Sequence, residues 1–171
     1  APKPRMVMAV KDGKIQDIKL HIRGSHRDLG KMIPRGAPIG FGFQGIPDIP
    51  KDQSGRLQLA KWLARPDHPL TARVMVNRVW RWHFGRGIVA TPNNFGTKGQ
   101  RPTHPKLLDH LALKFMRSGW SLKSLHREIL NSSTYQMASN VENPAAMERD
   151  PANVLLWKRE MRRMEAEVFR D

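Results

Sequence analysis

The chain has 171 residues, 39% of them hydrophobic, with no cysteine and a formal charge of +15. That length supports a domain of ordinary size with a real core, and no apolar run nears the ~20 residues of a membrane-spanning helix. The lack of cysteine excludes disulfides, thiolate zinc sites, iron–sulfur clusters and thioether-linked haem within this segment.

Residues 5–10 and 15–22 read as two short strands joined at Asp12-Gly13, a strong hairpin signal. In the second run Ile18, Leu20 and Ile22 alternate with Asp17, Lys19 and His21, as in a half-buried strand. Residues 23–53 read as an irregular Gly/Pro-rich arm that lies on another surface through Phe41 and Phe43. Gly40-x-Gly42-x-x-Gly45 matches a dinucleotide fingerprint in spelling. No strand–turn–helix pattern surrounds it and no acidic residue stands at the required distance, so it is rejected.

Ser54 reads as the N-cap of a first helix, about Gly55 to Ala64, with Leu57, Leu59, Ala60 and Leu63 inward. Pro66-Asp-His-Pro69 forms a tight corner, so this helix is expected to pair with the next. The second helix, from Leu70 to Phe84, is the expected packing hub. Ala72, Met75, Val76, Val79, Trp80 and Trp82 give it a wide apolar arc, with His83 inside that arc. Arg73, Asn77 and Arg81 stand four apart and form a polar ribbon beside it. Gly85 ends the helix.

Residues 92–102 carry Asn93, Asn94, Gly96 and Gly99 and read as a long loop, pinned to the core by Phe95. Thr103 is expected to cap a third helix, Pro105 to Arg117, with Leu107, Leu108, Leu111, Ala112 and Phe115 inward. Ser121 caps a fourth, with Leu122, Leu125 and Ile129 inward. Residues 138–151 read as loop. Asn153 to Asp171 reads as a fifth helix through Leu155, Leu156, Met161, Met164, Val168 and Phe169.

Residues 51–120 hold thirteen Lys/Arg against three Asp/Glu, whereas residues 121–171 hold eight of each. A field of that sign attracts nucleic acid, an anionic polymer or an acidic partner domain. The plainer reading is a piece of a larger protein whose other domains balance the charge. The seven histidines are scattered without His-x-x-x-His spacing, so no metal site is expected. No Gly-x-Ser-x-Gly elbow, phosphate loop or carboxylate pair is spelled out, so no catalytic residue is named and enzyme status stays open. The candidate partner- or anion-binding residues are Arg73, Asn77, Arg81, Arg86, Asn94 and His104. They combine guanidinium and amide donors on the hub helix with the loop at 91–104. The tryptophans within the apolar arc are expected in the core.

Several words of the sequence resemble one family. Asn77-Arg-Val-Trp80, Phe84-Gly-Arg-Gly87, Thr91-Pro-Asn-Asn-Phe-Gly96, Thr103-His-Pro105, Ser118-Gly-Trp-Ser-Leu-Lys123, Ser132-Ser-Thr-Tyr135 and Arg163-Met-Glu-Ala-Glu-Val-Phe-Arg-Asp171 are similar to the Planctomycete PSD-one domain, domain of unknown function 1553. The similarity spans about residues 54–171, and residues 4–38 resemble the segment that precedes that domain. One departure is Lys106, where the family usually has an acidic residue; this removes a capping box. The resemblance implies a large exported protein, periplasmic or on the cell surface, with a cytochrome-c-like domain upstream. Haem c would then lie in a separate domain, and no cofactor is expected here. It also implies that the domain continues beyond Asp171.

The expected fold is mainly α, about five helices preceded by a small β-hairpin and an irregular arm. Residues 1–53 would form the hairpin and arm, and 54–171 a helical domain cut short at its C-terminus. The expected function is a helical module of a multidomain protein, binding its other domains or an anionic polysaccharide. The rivals are part of a polysaccharide-acting enzyme completed by further domains, and a nucleic-acid-binding domain.

Overall fold

A computed structural model describes residues 8–36, 48–164, 166 and 170. It is mainly helical, with one two-stranded antiparallel sheet. The chain divides into two compact units, Ala1–His68 and Pro69–Asp171, with the division inside the corner that follows the first helix.

The first unit contains β1 (Ile18–His21), β2 (Leu29–Ile33) and α1 (Arg56–Leu63). β1 lies within an expected strand, but its partner is β2 and not the run before Asp12-Gly13. Residues 8–10 form no strand, and 5–7 lie outside the described residues. The turn that decides this is Ile22–Ser25. Ser25 N donates to Ile22 O at 2.9 Å, and both central residues have positive φ, Arg23 at 50° and Gly24 at 79°. This turn opens a connection that runs from Ile22 to Asp28 and is closed by Ile22 N donating to Asp28 O at 3.0 Å. Register runs Ile18 to Ile33, Lys19 to Met32 and His21 to Leu29, with a bulge between. Phe41, Phe43 and the Gly40–Gly45 motif lie outside the described residues.

This unit holds no buried apolar side chain among its described residues. Leu57, Leu59 and Leu63, expected inward on α1, are exposed, and Gln58 is the buried residue. α1 starts after Gly55, at φ 92°, so Gly55 takes the cap position assigned to Ser54. Polar ties organise the unit instead. Arg35 binds Asp17 at 3.0 Å and the carbonyls of Lys51 and Gln53, and Arg56 binds Asp12 at 3.1 Å.

The second unit contains α2 (Thr71–Phe84), α3 (Pro105–Arg117), α4 (Leu122–Leu130), α5 (Ser133–Gln136) and α6 (Pro144–Arg149). α2 is the hub expected from its periodicity, and it packs on both α3 and α4. Ala72, Val76, Val79, Trp80 and Phe84 meet Leu108, Leu111, Ala112 and Phe115 of α3 and Leu125 and Ile129 of α4. Ile88 and Val89 complete this core, and Phe95 packs against it. Ser121 caps α4, accepting from Ser124 N at 3.3 Å.

Several expectations fail here. Met75 and Leu122, expected inward, are 39% and 47% exposed. Trp82, placed in the core arc, is 69% exposed, because the helix turns its last-turn indole away from α3 and α4. α6 interrupts the loop expected over 138–151, capped by Asn143, which accepts from Ala146 N, and α5 forms just before it, capped by Ser132, which accepts from Tyr135 N. The fifth helix does not form over Asn153–Met164. The buried Asp150 carboxylate takes Val154 N and Leu155 N, Asn153 takes Lys158 N, and Asn153 and Leu156 adopt φ of 49° and 58°. Side-chain acceptors competing for backbone donors in this way disfavour a helix. Val168 and Phe169 lie outside the described residues.

Candidate functional site

The groups of interest gather around α2 and its C-terminal end. Gly85, at φ 83°, closes the helix by donating to Arg81 O at 2.7 Å. The chain then doubles back, and Asn77 holds it. Asn77 is fully buried; its Nδ2 donates to Val89 O at 3.0 Å, and Val89 N donates to its Oδ1 at 2.8 Å. A side-chain amide here stands in for a strand partner. Gly87 must be glycine, since a Cβ would lie 2.6 Å from Val89 O and 2.8 Å from the Asn77 amide. Thr103 closes the following loop at Ile88 O and does not cap α3. His104 takes the cap position, with its Nδ1 2.9 Å from Thr103 Oγ1.

The six residues singled out from sequence therefore separate. Arg73 donates to Asp109 at 2.6 Å and to Pro69 O at 2.6 Å. Asn77 is the clamp just described. Asn94 organises its own loop, accepting from Gly96 N at 3.1 Å while its carbonyl accepts from Thr91 Oγ1 at 2.8 Å. Arg81 faces solvent. Arg86 and His104 are brought together on a small cleft of about 100 Å³ that also includes Thr103, Asn153 and Glu160. The polar ribbon is thus divided between internal bonds and solvent.

A larger cleft of about 500 Å³ lies beside it, and Glu160 lines both. Its walls are Trp82 and His83 from α2, Tyr135 from α5, and Arg159, Arg162, Arg163 and Met164 from the last described segment. The cross-bonded loop at 150–158 aims that segment back onto α2. Asn153 Nδ2 holds Lys158 O at 2.9 Å and Glu160 Oε1 at 3.0 Å, and Arg159 N reaches Ala138 O at 3.1 Å. Arg159 Nη2 donates to His83 O at 2.9 Å. Its guanidinium lies 3.9 Å from the Tyr135 ring and 4.9 Å from the Phe84 ring. Its Nη1 is buried without a hydrogen-bond partner among the described residues. Arg162 Nη1 donates to Trp82 O, placing a cation at the negative end of the helix.

His83 Nε2 stands 2.7 Å from His126 Nδ1 of α4. Burial first, then His126, Arg159 and Arg162, hold His83 below the ordinary histidine value. One proton shared between the two ring nitrogens suits that contact. Among the described residues no three His, Asp or Glu converge as a metal site would need. Cationic groups dominate the cleft, so its chemistry favours anions.

Sequence reasoning missed Arg159, Arg162, Arg163, Tyr135 and Glu160. The signal was the basic run Lys158-Arg-Glu-Met-Arg-Arg163, hidden when it was distributed around an expected helix.

A family model described as PSD1, protein of unknown function (DUF1553), matches residues 55–171. No curated protein and no solved structure matches the chain.

Proposed function

Since this chain belongs to the PSD1 family (DUF1553), we propose that it is a helical binding module of a large exported protein of planctomycete type. In that protein haem c is held by another domain. The module receives an acidic partner domain or an anionic polymer at the cleft between the end of α2 and residues 159–164.

The observation that carries this reading is the convergence of Arg159, Arg162 and Arg163 around one cleft with an exposed indole. Three guanidinium groups gathered there raise the local positive potential. Arg159 is held by a carbonyl and two aromatic rings, so it needs little ordering when an anion arrives. The net charge of +15 supplies long-range attraction of the same sign. No helix among the described residues is long and apolar enough to cross a membrane.

The test is titration of the full chain with polygalacturonate and with poly-aspartate at low ionic strength. Binding should weaken with added salt, and several-fold in each of Arg162→Ala and Arg163→Ala. Both side chains are exposed, so these variants should keep the fold. Absence of binding to either polymer, or binding indifferent to both substitutions, overturns the proposal.

A further inference from the structure

Attraction of charge accounts for the arginines of the cleft but not for Trp82 or Glu160. Trp82 is 69% exposed, although its neighbour on the same helix, Trp80, is buried. An indole kept in water beside a cleft marks a contact surface. The backbone of Trp82 is tied to the arginine segment. Its carbonyl accepts from Arg162 Nη1, and Arg162 Cδ and Nε lie over Gly85, 3.5 Å from where a Cβ would stand. Trp82 and Arg162 line the same cleft.

Glu160 places a carboxylate among these cations, with Oε1 accepting from Asn153 Nδ2 at 3.0 Å. A ligand with an anion at every unit and no hydroxyl beside it, such as poly-aspartate or single-stranded DNA, would set a charge against it and be repelled. A ligand that carries hydroxyls beside each anionic group would use it as an acceptor. Glu160 also lines the smaller cleft with Arg86 and His104, so cationic groups stand on both sides of this acceptor.

A flat apolar face, an anionic group beside it and hydroxyls next to both describe an acidic sugar. Building on the anion-binding reading above, we infer that the cleft takes the acidic sugar residues of a polysaccharide. Trp82 stacks on the ring face, Arg162 and Arg163 meet the carboxylate or sulfate, and Glu160 accepts from hydroxyls. About 500 Å³ lies within the range of small-ligand clefts.

The test is calorimetry and tryptophan fluorescence on the full chain with four probes. These are an oligogalacturonate, a sulfated galactan oligosaccharide, poly-aspartate and a single-stranded oligonucleotide. One or both sugars should bind more tightly than poly-aspartate and the oligonucleotide, and binding should shift the indole emission. Which sugar binds separates a carboxylate from a sulfate ligand. Trp82→Ala should weaken sugar binding roughly ten-fold, and Trp82→Phe should keep most of it. Glu160→Gln should weaken sugar binding while leaving or strengthening that of the oligonucleotide. Sugar affinity unchanged in Trp82→Ala overturns the inference. So does equal or tighter binding of poly-aspartate or the oligonucleotide through the same arginines, a result that leaves the broader anion-binding proposal standing. Failure of all four probes to bind removes both.

Discussion

Ile18, Leu20, Ile22, Leu29 and Ile33 of the first unit lie between 39% and 63% exposed, whereas thirteen apolar side chains of the second unit lie at 7% or less. The two units do not differ in the kind of side chain they contain. They differ in what each apolar face meets. β1 and β2 make a lone pair of strands, which is marginal in water and is here fixed by a turn and by Arg35 and Arg56. α2 meets apolar stripes on two other helices, so burial holds that unit. A chain can therefore organise one region by exposed ion pairs and another by its core, and the two regions should respond differently to the same perturbation.

The largest expected effect lies in the core. Phe115→Ala should destabilise the second unit by about 3–5 kcal/mol and Ile129→Ala by about 2–5 kcal/mol, measured by urea denaturation. Leu20→Ala in β1 should cost under about 1 kcal/mol. A similar loss at both places would erase the distinction. Next comes the clamp: Asn77→Ala leaves Val89 N–H and C=O buried without partners and should cost about 2–3 kcal/mol. It should also loosen the return of the chain at 85–89, which amide hydrogen exchange would reveal.

Acid should separate the histidine contacts from the aspartate ties. His83 is held below the ordinary value of 6.5, so the unfolded chain binds its proton first. The contribution of neutral His83 is complete above that value and is lost as pH falls below it toward the folded pKa. Asp17 and Asp12 are held below 3.8, Asp17 first by hydrogen bonding from Arg35 N and Asp12 first by hydrogen bonding from Ser54. Their contribution persists down to that range and is lost below it. Mild acid should therefore act at His83 in the second unit and at His68, also held low by burial, at the end of the first, while the Asp12 and Asp17 ties remain, as followed by residue-resolved NMR. Simultaneous loss would contradict the assignment. The smallest effect is that of salt. Arg73→Ala breaks a half-exposed pair with Asp109 and should cost under about 1 kcal/mol, fading at high ionic strength. High salt should loosen residues 17–35 more than α2 to α4.

Legibility in the sequence followed the same divide. α2, α3 and α4 were readable because their apolar residues recur at helical spacing and most of them, though not Met75, Trp82 or Leu122, are buried there. The hairpin was half readable: β1 alternates as a strand should, but Asp12-Gly13 looked like a better turn than Arg23-Gly24. A turn needs both a permissive residue and a partner strand in register, and local sequence reports the first of these. The candidate site was the least readable part. Arg73 and Asn77 look like free donors until Asp109 and Val89 are seen opposite them, 36 and 12 residues along the chain. Arg159 lies 76 residues from the carbonyl that holds it.

Matched words of the sequence carried the family resemblance, and composition and periodicity by themselves determined a mainly helical chain, a hub beginning near residue 70 and a strongly positive field. These follow from local spacing and from sums over residues, which need no coordinates. The tertiary structure decided which polar groups were already taken and which were left facing a common space. It withdrew Arg73 and Asn77 into the fold, turned Trp82 outward, and brought Arg159 and Arg162 back over the end of α2. Such choices depend on contacts between distant segments, and no periodicity within one segment encodes them.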